Sequence, residues 1–467
     1  MNPLITRRHF LKRNLGSTLA LAAVLSLIPA TVFGRNGDTA PNSRIQLGCI
    51  GVGPQGRGVM GNFLAQDDCR VMAVCDVAKR NLNEALGQVN KQYADHACAT
   101  YHHFQELLER EDIDAVLIAS PDHWHVGMAV EAARAGKDMY LEKPMGLSVA
   151  EDQLLRKVVQ NEERVFQFGT QQRSSSQFRQ ACELVRNRKI GTLKNINVWC
   201  NASRPGGSTT PAPVPPDLDY KLWLGPAPNS PYTVDKCFDA SIPEAWKTWW
   251  HHYDYALGFI AGWGVHPLDI AYWGHPALLD DRLEIEGRGI FPNQGACNTS
   301  IAWDVRFRAA DGVTMNYRGT RNGYDQVNPM NDLTSWEKKY GRIVDHGTAF
   351  EGTEGWVLVD RTQIRTSPER LVETKPGGVQ LPRSSNHVRN FLESIRSRKP
   401  TISPVEEAVQ ADILCHLSDI ATRVDRPLTW NPDKESFVKD GPADRLLELR
   451  PRRSPWKLKT RNWIPFW

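Results

Sequence analysis

The tripeptide Glu142-Lys143-Pro144 ends a strand-like run, "MYLEKP", and sets an ammonium beside a carboxylate. A lysine there can orient a substrate hydroxyl or relay its proton if burial and neighbours lower its pKa. Glu142 can pair with Lys143 or hold a ribose. His266 lies in "AGWGVHPLDIAYWG", a glycine-rich approach to an apolar helix. Histidine titrates near neutrality, so it can accept a proton and return it. Asp269, three residues on, shares a helical face with His266 and can orient its imidazole. A third set closes the apolar run "RIQLGCIGVG". In "GCIGVGPQGRG" the glycines Gly51, Gly53 and Gly56, with Gln55 between them, have the spacing of a dinucleotide-binding turn. Gly51 permits the tight turn, Gly53 lets backbone approach a pyrophosphate, and Gly56 lets the next helix pack on the strand. That helix offers free N–H groups to phosphates. Asp76 ends the run "CRVMAVCDV", twenty residues beyond Gly56, where a carboxylate accepts hydrogen bonds from an adenosine ribose. Its charge opposes a 2′-phosphate and favours NAD; Arg57 and Arg80 lie near enough in sequence to keep NADP open. A nucleotide, a base and a lysine together suit hydride transfer from an alcohol.

These residues need a scaffold that brings strand ends together. "RIQLGCIGVG", "CRVMAVCDV", "IDAVLIAS" and "MYLEKP" read as buried strands, and "YHHFQELLERED" and "PDHWHVGMAVEAARAGKD" as helices between them. Asp122 reads as an N-cap. The alternation predicts an α/β fold with a doubly wound parallel sheet over 44–164 and a ligand at its carboxyl edge. Gly51–Gly56, Asp76, the Ser120–His125 turn and Glu142–Pro144 all open on that edge, which makes Ser120, Asp122 and His125 cofactor-binding candidates. A second domain follows over 165–430. Its strand-like runs include "KNINVWC" and "GWVLVDR". Helices near 385–425 are expected to pack back on the domain junction. Residues 431–467 form a basic, Trp-rich arm ending "WIPFW", which needs a partner and is expected to dock or to contact another subunit. The stretch 201–217, "NASRPGGSTTPAPVPPD", reads as a surface loop beside a cleft or as a plain connector.

The composition, 41% apolar and 24% charged, is that of a soluble globular chain. The net charge of +4 sits largely at the ends, which argues against a nucleic-acid binder. Nine cysteines form no CxxC or zinc-type spacing and read as structural thiols. The histidine pairs His102-His103, His123-x-His125 and His251-His252 lack a third ligand at clean spacing, so no metal is expected. The N-terminus carries "TRRHFLK", similar to the twin-arginine export motif, and residues 15–34 are uncharged. Residues 1–34 are expected to be a signal peptide cleaved after Gly34, with 35–43 a linker, so the protein would be periplasmic or secreted and hold no stable membrane insertion. The alternative is an anchor retained in the membrane.

The glycine turn, the strand-end Asp76 and Glu142-Lys143-Pro144, in this order, resemble the Gfo/Idh/MocA oxidoreductases. The stretches "SPDHWH", "FGTQQRS", "PPDLDYKLWLGPAP", "GWGVHPLDIAYWG", "FEGTEGW" and "NFLESIRSRKP" look more narrowly like an exported planctomycete- and Bacteroides-type subgroup. The resemblance implies a Rossmann domain followed by an α/β domain with a large open, mainly antiparallel sheet. It puts the active site between them, over a tightly held nicotinamide, with a sugar or sugar derivative as substrate, and implies a homo-oligomer. Lys143 and His266 then become catalytic candidates with Asp269, and the family often has a cis bond before Pro144. One departure stands out. Many members carry Asp-x-x-x-His where this chain has Gly262 and His266, so the proton relay must be rearranged; Asp254 or Asp269 is a replacement. Trp246, Trp249, Trp250, Tyr253, Tyr255 and Trp263 offer ring faces for a pyranose, about half of them being expected in the core. Gln171 and Gln172 suit sugar hydroxyls, and Arg173 an anionic substrate group. Two other readings remain. One is a redox-neutral lyase or glycosidase using NAD transiently, though relatives of that kind lack a plain EKP. The other is a non-catalytic sugar-binding member.

Overall fold

The computed structural model describes residues 43–237, 248–320, 330, 332–374 and 377–458. The export motif, its cleavage point, Trp246 and the terminal "WIPFW" lie outside the described residues.

Near-continuous apolar runs such as "IQLGCI" and "AVLI" form strands buried on both faces, as a parallel sheet requires. Strands β1 (Ile45–Ile50), β2 (Cys69–Cys75), β3 (Ala99–Tyr101), β4 (Ala115–Ile118), β5 (Asp138–Leu141) and β6 (Phe166–Phe168) lie in the order β3-β2-β1-β4-β5-β6, all parallel. The strand order reverses beside β1, which opens the crevice at the carboxyl edge. Helices α1 (Pro54–Leu64), α2 (Lys79–Tyr93), α3 (Asp122–Arg134) and α4 (Val149–Asn161) connect the strands. The run "YHHFQELLERED" yields only a five-residue helix, Phe104–Leu108, because β3 precedes it. Asp122 is the first helical residue of α3, after Pro121 at the N-cap.

The parallel sheet passes residue 164, since β6 pairs with β5. Helix α5 (Ser176–Arg186) then leads into a nine-stranded sheet. Its strands are β7 (Leu193–Asn201), β8 (Leu283–Ile290), β9 (Ala302–Ala309), β10 (Thr314–Thr320), β11 (Gly347–Gly352), β12 (Trp356–Val359), β13 (Ile364–Ser367), β14 (Leu428–Asn431) and β15 (Ser436–Phe437). They run in the order β13-β12-β11-β7-β10-β9-β8-β14-β15, antiparallel except for β7 with β10. Alternation of buried and exposed residues in β8 and β10 marks a sheet with one covered face. Helices α5, α6 (Val265–Gly274) and α8 (Val405–Val424) pack on it, α7 (His387–Ser397) coming between the last two in the chain. Register decides what the sheet presents. Trp199 pairs with Gly347, Thr348 with Val359, and Asn201 with Thr320. The ends of β7, β10 and β12 and the start of β11 therefore share one edge, carrying Asn201, His346 and Arg361.

The parallel half is completed by late sequence. Phe391 of α7 meets Phe63 and Tyr140, with ring centroids 6.2 Å away in each case. Beyond β15 the described part of the arm docks on both halves. Ala150 N donates to Leu447 O (2.9 Å), Arg452 pairs with Glu151 (2.8 Å, both side chains nearly inaccessible), and Arg453 N donates to Pro226 O (3.1 Å). The guanidinium groups of Arg423 and Arg450 lie 3.6 and 3.8 Å from the Tyr253 ring centre. Among the described residues, no helix is long and apolar enough to cross a membrane.

Candidate active site

A cavity of about 700 Å³ lies where the carboxyl edge of the parallel sheet meets the shared edge of the second. Gly51, Gly53, Gln55, Asp76, Ser120, Asp122, His125, Glu142, Lys143, Trp263 and His266 all line it, so segments far apart in sequence converge. Gly51 has φ +77°, and a Cβ there would sit 2.5 Å from Ser120 N. Gly56 lies behind the turn and off the lining. A Cβ on it would meet Gly51 O at 2.0 Å, so its part is packing α1 on the strand, not contact with a cofactor. Gly53 faces open space: a Cβ there would meet only the Asn81 amide, at 3.8 Å. No side chain caps α1, which leaves its first N–H groups free at the cavity.

Asp76 accepts hydrogen bonds from Val52 N (2.9 Å) and Ala78 N (2.8 Å). Desolvation pushes its pKa up to about 6, against the pull of these donors. A carboxylate has about four acceptor sites, so capacity remains for ribose hydroxyls. Arg57 is tied to Glu84 (2.5 Å) and Val52 O (2.7 Å), and Arg80 to Asp217 (3.0 Å); neither lines the cavity. Asp217 closes the 201–217 stretch. Lys79 N donates to Asp217 O, and Asn201, Ala202 and Arg204 line the cavity, so this stretch is a wall of the cleft pinned to the parallel half.

Lys143 Nζ donates to Gly262 O (3.0 Å) and lies 5.6 and 5.7 Å from the Trp250 and Trp263 ring centres. Burial lowers its pKa, while Glu142 and Asp122 hold it up. The Lys143–Pro144 bond is cis. Glu142 Oε1 accepts from Gln171 Nε2 (2.8 Å), and burial raises its pKa. His266 is 2% exposed and its ring centre lies 5.9 Å from that of Trp263. Burial, then the charges of Lys143 and Arg361, drives its pKa well below 6.5, so the imidazole is neutral. Among the buried polar atoms on the lining, Ser120 Oγ, Asp122 Oδ2, Glu142 Oε2 and His266 Nδ1 have no hydrogen-bond partner among the described residues. Buried polar groups are rarely left unpaired, so these atoms fit a polar ligand and, with the open face of Gly53, the nucleotide expected from the turn.

Three candidates are corrected. Asp269 does not orient His266 and does not line the cavity. Its oxygens accept from Arg173 Nε (3.0 and 2.8 Å) and Nη2 (2.6 Å), and both side chains are wholly buried. Arg173 is consequently no clamp for a substrate anion: it is neutralised by Asp269 and also bonds Glu407. His125 lines the cavity, but its two ring nitrogens face Pro144 O (2.7 Å) and Ser120 O (2.8 Å), so it braces two walls and offers a ligand no nitrogen. Of the two replacements for the absent aspartate, Asp254 is exposed and off the lining and Asp269 is engaged elsewhere; the Gly262 carbonyl itself takes the lysine proton donor. Gln172 lies off the main cavity, with Nε2 2.7 Å from His346 Nε2. Of the aromatics, Trp249, Trp250 and Trp263 line the cavity and Tyr255 is core.

Sequence reasoning missed His346 and Arg361. His346 lies between Gln172 and Asp345 (3.0 Å) with its ring centre 5.4 Å from Trp263. Neither residue sits in a motif. The one group with metal-ligand geometry among the described residues, Asp152, Asp412 and His416, is buried off the lining. There Asp412 accepts from Met145 N (3.1 Å) and supports the loop after Lys143.

Residues 45–170 match the family described as oxidoreductase family, NAD-binding Rossmann fold, and residues 344–458 match its C-terminal alpha/beta domain. A "Glycosyl hydrolase family 109 protein" of Shewanella pealeana is 30% identical over 160 residues, 32% of this chain and 35% of that protein. One of Solibacter usitatus is 32% identical over 116 residues, 24% of this chain and 26% of its own. The chain thus spans about a third or less of the length of these curated relatives. Among solved structures, the WlbA dehydrogenase of Bordetella pertussis, in complex with NADH and UDP-GlcNAcA, superposes with a TM-score of 0.59 at 14% identity, covering 82% of this chain and 98% of its own. Myo-inositol 2-dehydrogenase of Lactobacillus plantarum gives 0.56 at 16% identity, with the same coverage. At such identities the likeness shows the fold. The two family matches cover one domain each and together more than half the chain, and by them the protein belongs to the Gfo/Idh/MocA oxidoreductase family.

Proposed function

We propose that the protein is an exported, NAD-dependent oxidoreductase that removes hydride from a hydroxyl-bearing carbon of a sugar or sugar derivative. The observation that carries this reading is the placement of Lys143 and His266 on the same cavity lining as the glycine turn and Asp76. The Gly51–Gln55 turn, the α1 N-terminus and Asp76 would hold NAD, which when bound supplies the hydride acceptor. The chain's own residues handle the proton. Neutral His266 takes it from the hydroxyl, and the Lys143 ammonium steadies the oxygen as charge develops. The Trp263 face supports the apolar side of the ring.

NAD is favoured over NADP because Asp76 meets the ribose while Arg57 and Arg80 are already committed. Export with the cofactor inside the folded chain requires tight retention. Denaturing the exported, mature protein is expected to release stoichiometric NAD(H). Release of NADP(H) overturns the reading of Asp76, and release of no nucleotide overturns retention.

The pH profile tests the base. His266 must be neutral to accept a proton, and its pKa in the fold is depressed, so the neutral form persists as pH falls below 6.5. The acid limb of kcat/KM is expected below pH 6.5 and is absent from the residual activity of His266→Gln. An acid limb at or above 6.5 would remove His266 from the role.

The names of the curated relatives favour a second reading, transient oxidation that labilises a glycosidic bond and is then reversed. Product analysis separates the two: this chemistry releases an aglycone with no net change in nicotinamide.

A further inference from the structure

A second chamber of about 340 Å³ adjoins the cavity, walled by Gln171, Gln172, Ser175, Gln177, Phe178 and Arg361. Gln171 and Arg361 line both spaces, so they stand where the two meet. The chamber is polar, and its one formal charge is the guanidinium of Arg361.

That charge is unanswered by the protein. Among the described residues, no carboxylate forms an ion pair with Arg361; its near neighbour is the Trp263 ring, 5.5 Å from the guanidinium carbon to the ring centre. Asp345 and Glu142 act on it only from a distance, and each has another partner, His346 and Gln171 respectively. Arg173, close by in sequence to the chamber's glutamines, is by contrast fully neutralised. Arg361 is solvent-exposed, but the turn that carries it is held in place. It sits in the turn between β12 and β13, where buried Asp360 accepts from Thr362 N (2.7 Å), Gln363 N (3.0 Å) and Gln363 Nε2 (2.8 Å). Its own carbonyl accepts from Gln177 Nε2 (3.2 Å). The turn is fixed before any ligand arrives, which cuts the ordering cost of binding.

Lys143 Nζ and the Arg361 guanidinium carbon lie 5.7 and 5.5 Å from the Trp263 ring centre, so a sugar ring held against that indole has the reacting groups and Arg361 both close at hand. A planar guanidinium matches a carboxylate with two parallel hydrogen bonds. One cation with amide neighbours suits a single negative charge, and the unpartnered Oε1 of Gln172 can accept from a sugar hydroxyl.

We infer that Arg361 recognises a carboxylate on the substrate, and that the substrate class is sugar acids, hexuronic acids or their glycosides. The inference rests on the sugar-binding reading of the cavity and on no particular redox outcome. The probes are D-glucuronate and D-galacturonate against D-glucose and D-galactose, titrated calorimetrically into the mature chain loaded with NAD, with nicotinamide reduction followed separately. The uronates are expected to bind at least about tenfold more tightly than the hexoses, a preference that weakens with salt. Arg361→Gln is expected to erase it, raising the uronate Kd about tenfold or more, while hexose affinity stays within about twofold. Arg361→Lys, which keeps the charge and loses the fork, is expected to restore part of it. Equal affinity for acid and neutral sugar, no uronate binding at all, or uronate binding unchanged in Arg361→Gln each overturns the inference. Arg361-dependent uronate binding without any nicotinamide reduction supports it and counts against the oxidoreductase reading alone.

Discussion

Replacing Lys143 by alanine is expected to lower kcat/KM for sugar oxidation about 10²–10⁴-fold while nucleotide binding and thermal midpoint stay near those of the parent. The ammonium does three things that no neighbour duplicates. It donates to Gly262 O, it lies against Trp250 and Trp263, and in the proposed reaction it would hold positive charge where the substrate oxygen becomes more negative. Burial lowers its pKa, which eases proton transfer through it. The loss should fall mainly in kcat, since the interaction strengthens as charge develops. Lys143→Arg should not rescue it, because a guanidinium does not give up a proton at working pH and is too broad for the same space. Lys143→Ala that turns over as fast as the parent would end the assignment of this residue.

The second large effect is on stability. Asp269→Ala is expected to cost about 3–5 kcal/mol, the range for removing one partner of a buried ion pair. The guanidinium left behind has no exposure, and its remaining carboxylate partner, Glu407, stands at the surface with 42% of its side chain accessible. Asp269 lies one turn beyond His266 on α6, so the pair also ties the base-bearing helix to the segment after β6. The double variant Arg173→Met, Asp269→Leu should recover much of the loss, because apolar side chains of similar size need no counter-charge. Chemical denaturation of the three variants reads this out. Asp269→Ala within about 0.5 kcal/mol of the parent, the usual range for surface changes, would show that the pair contributes little.

These two predictions separate what the sequence made legible from what it hid. The glycine turn, Asp76 and Lys143 lie at the ends of strands whose type and order follow from local apolar runs, so their convergence follows from a parallel sheet. His266 was visible through its glycine-rich approach. Asp269 and Arg173 carried the right chemistry, but their partnership spans 96 positions and no spacing signals it. His346 and Arg361 reach the cleft only through the register of β7, β11 and β12, which pairs Trp199 with Gly347 and Thr348 with Val359. Such pairings are non-local, and a one-residue slip would present other side chains. The boundary drawn at 164 leaves out β6, a three-residue strand after a helix that joins the parallel sheet only through its non-local pairing with β5.

The docking of α7 and the arm fixes an order of manufacture. A chain leaves the ribosome from its N-terminus, so the strands that cradle the nucleotide emerge first. Phe391 and Arg452, which close that half, emerge near the end. Until they do, the Phe63–Tyr140 surface lacks its cover and the Glu151 carboxylate is held by Leu147 N alone, so the half made first is finished last.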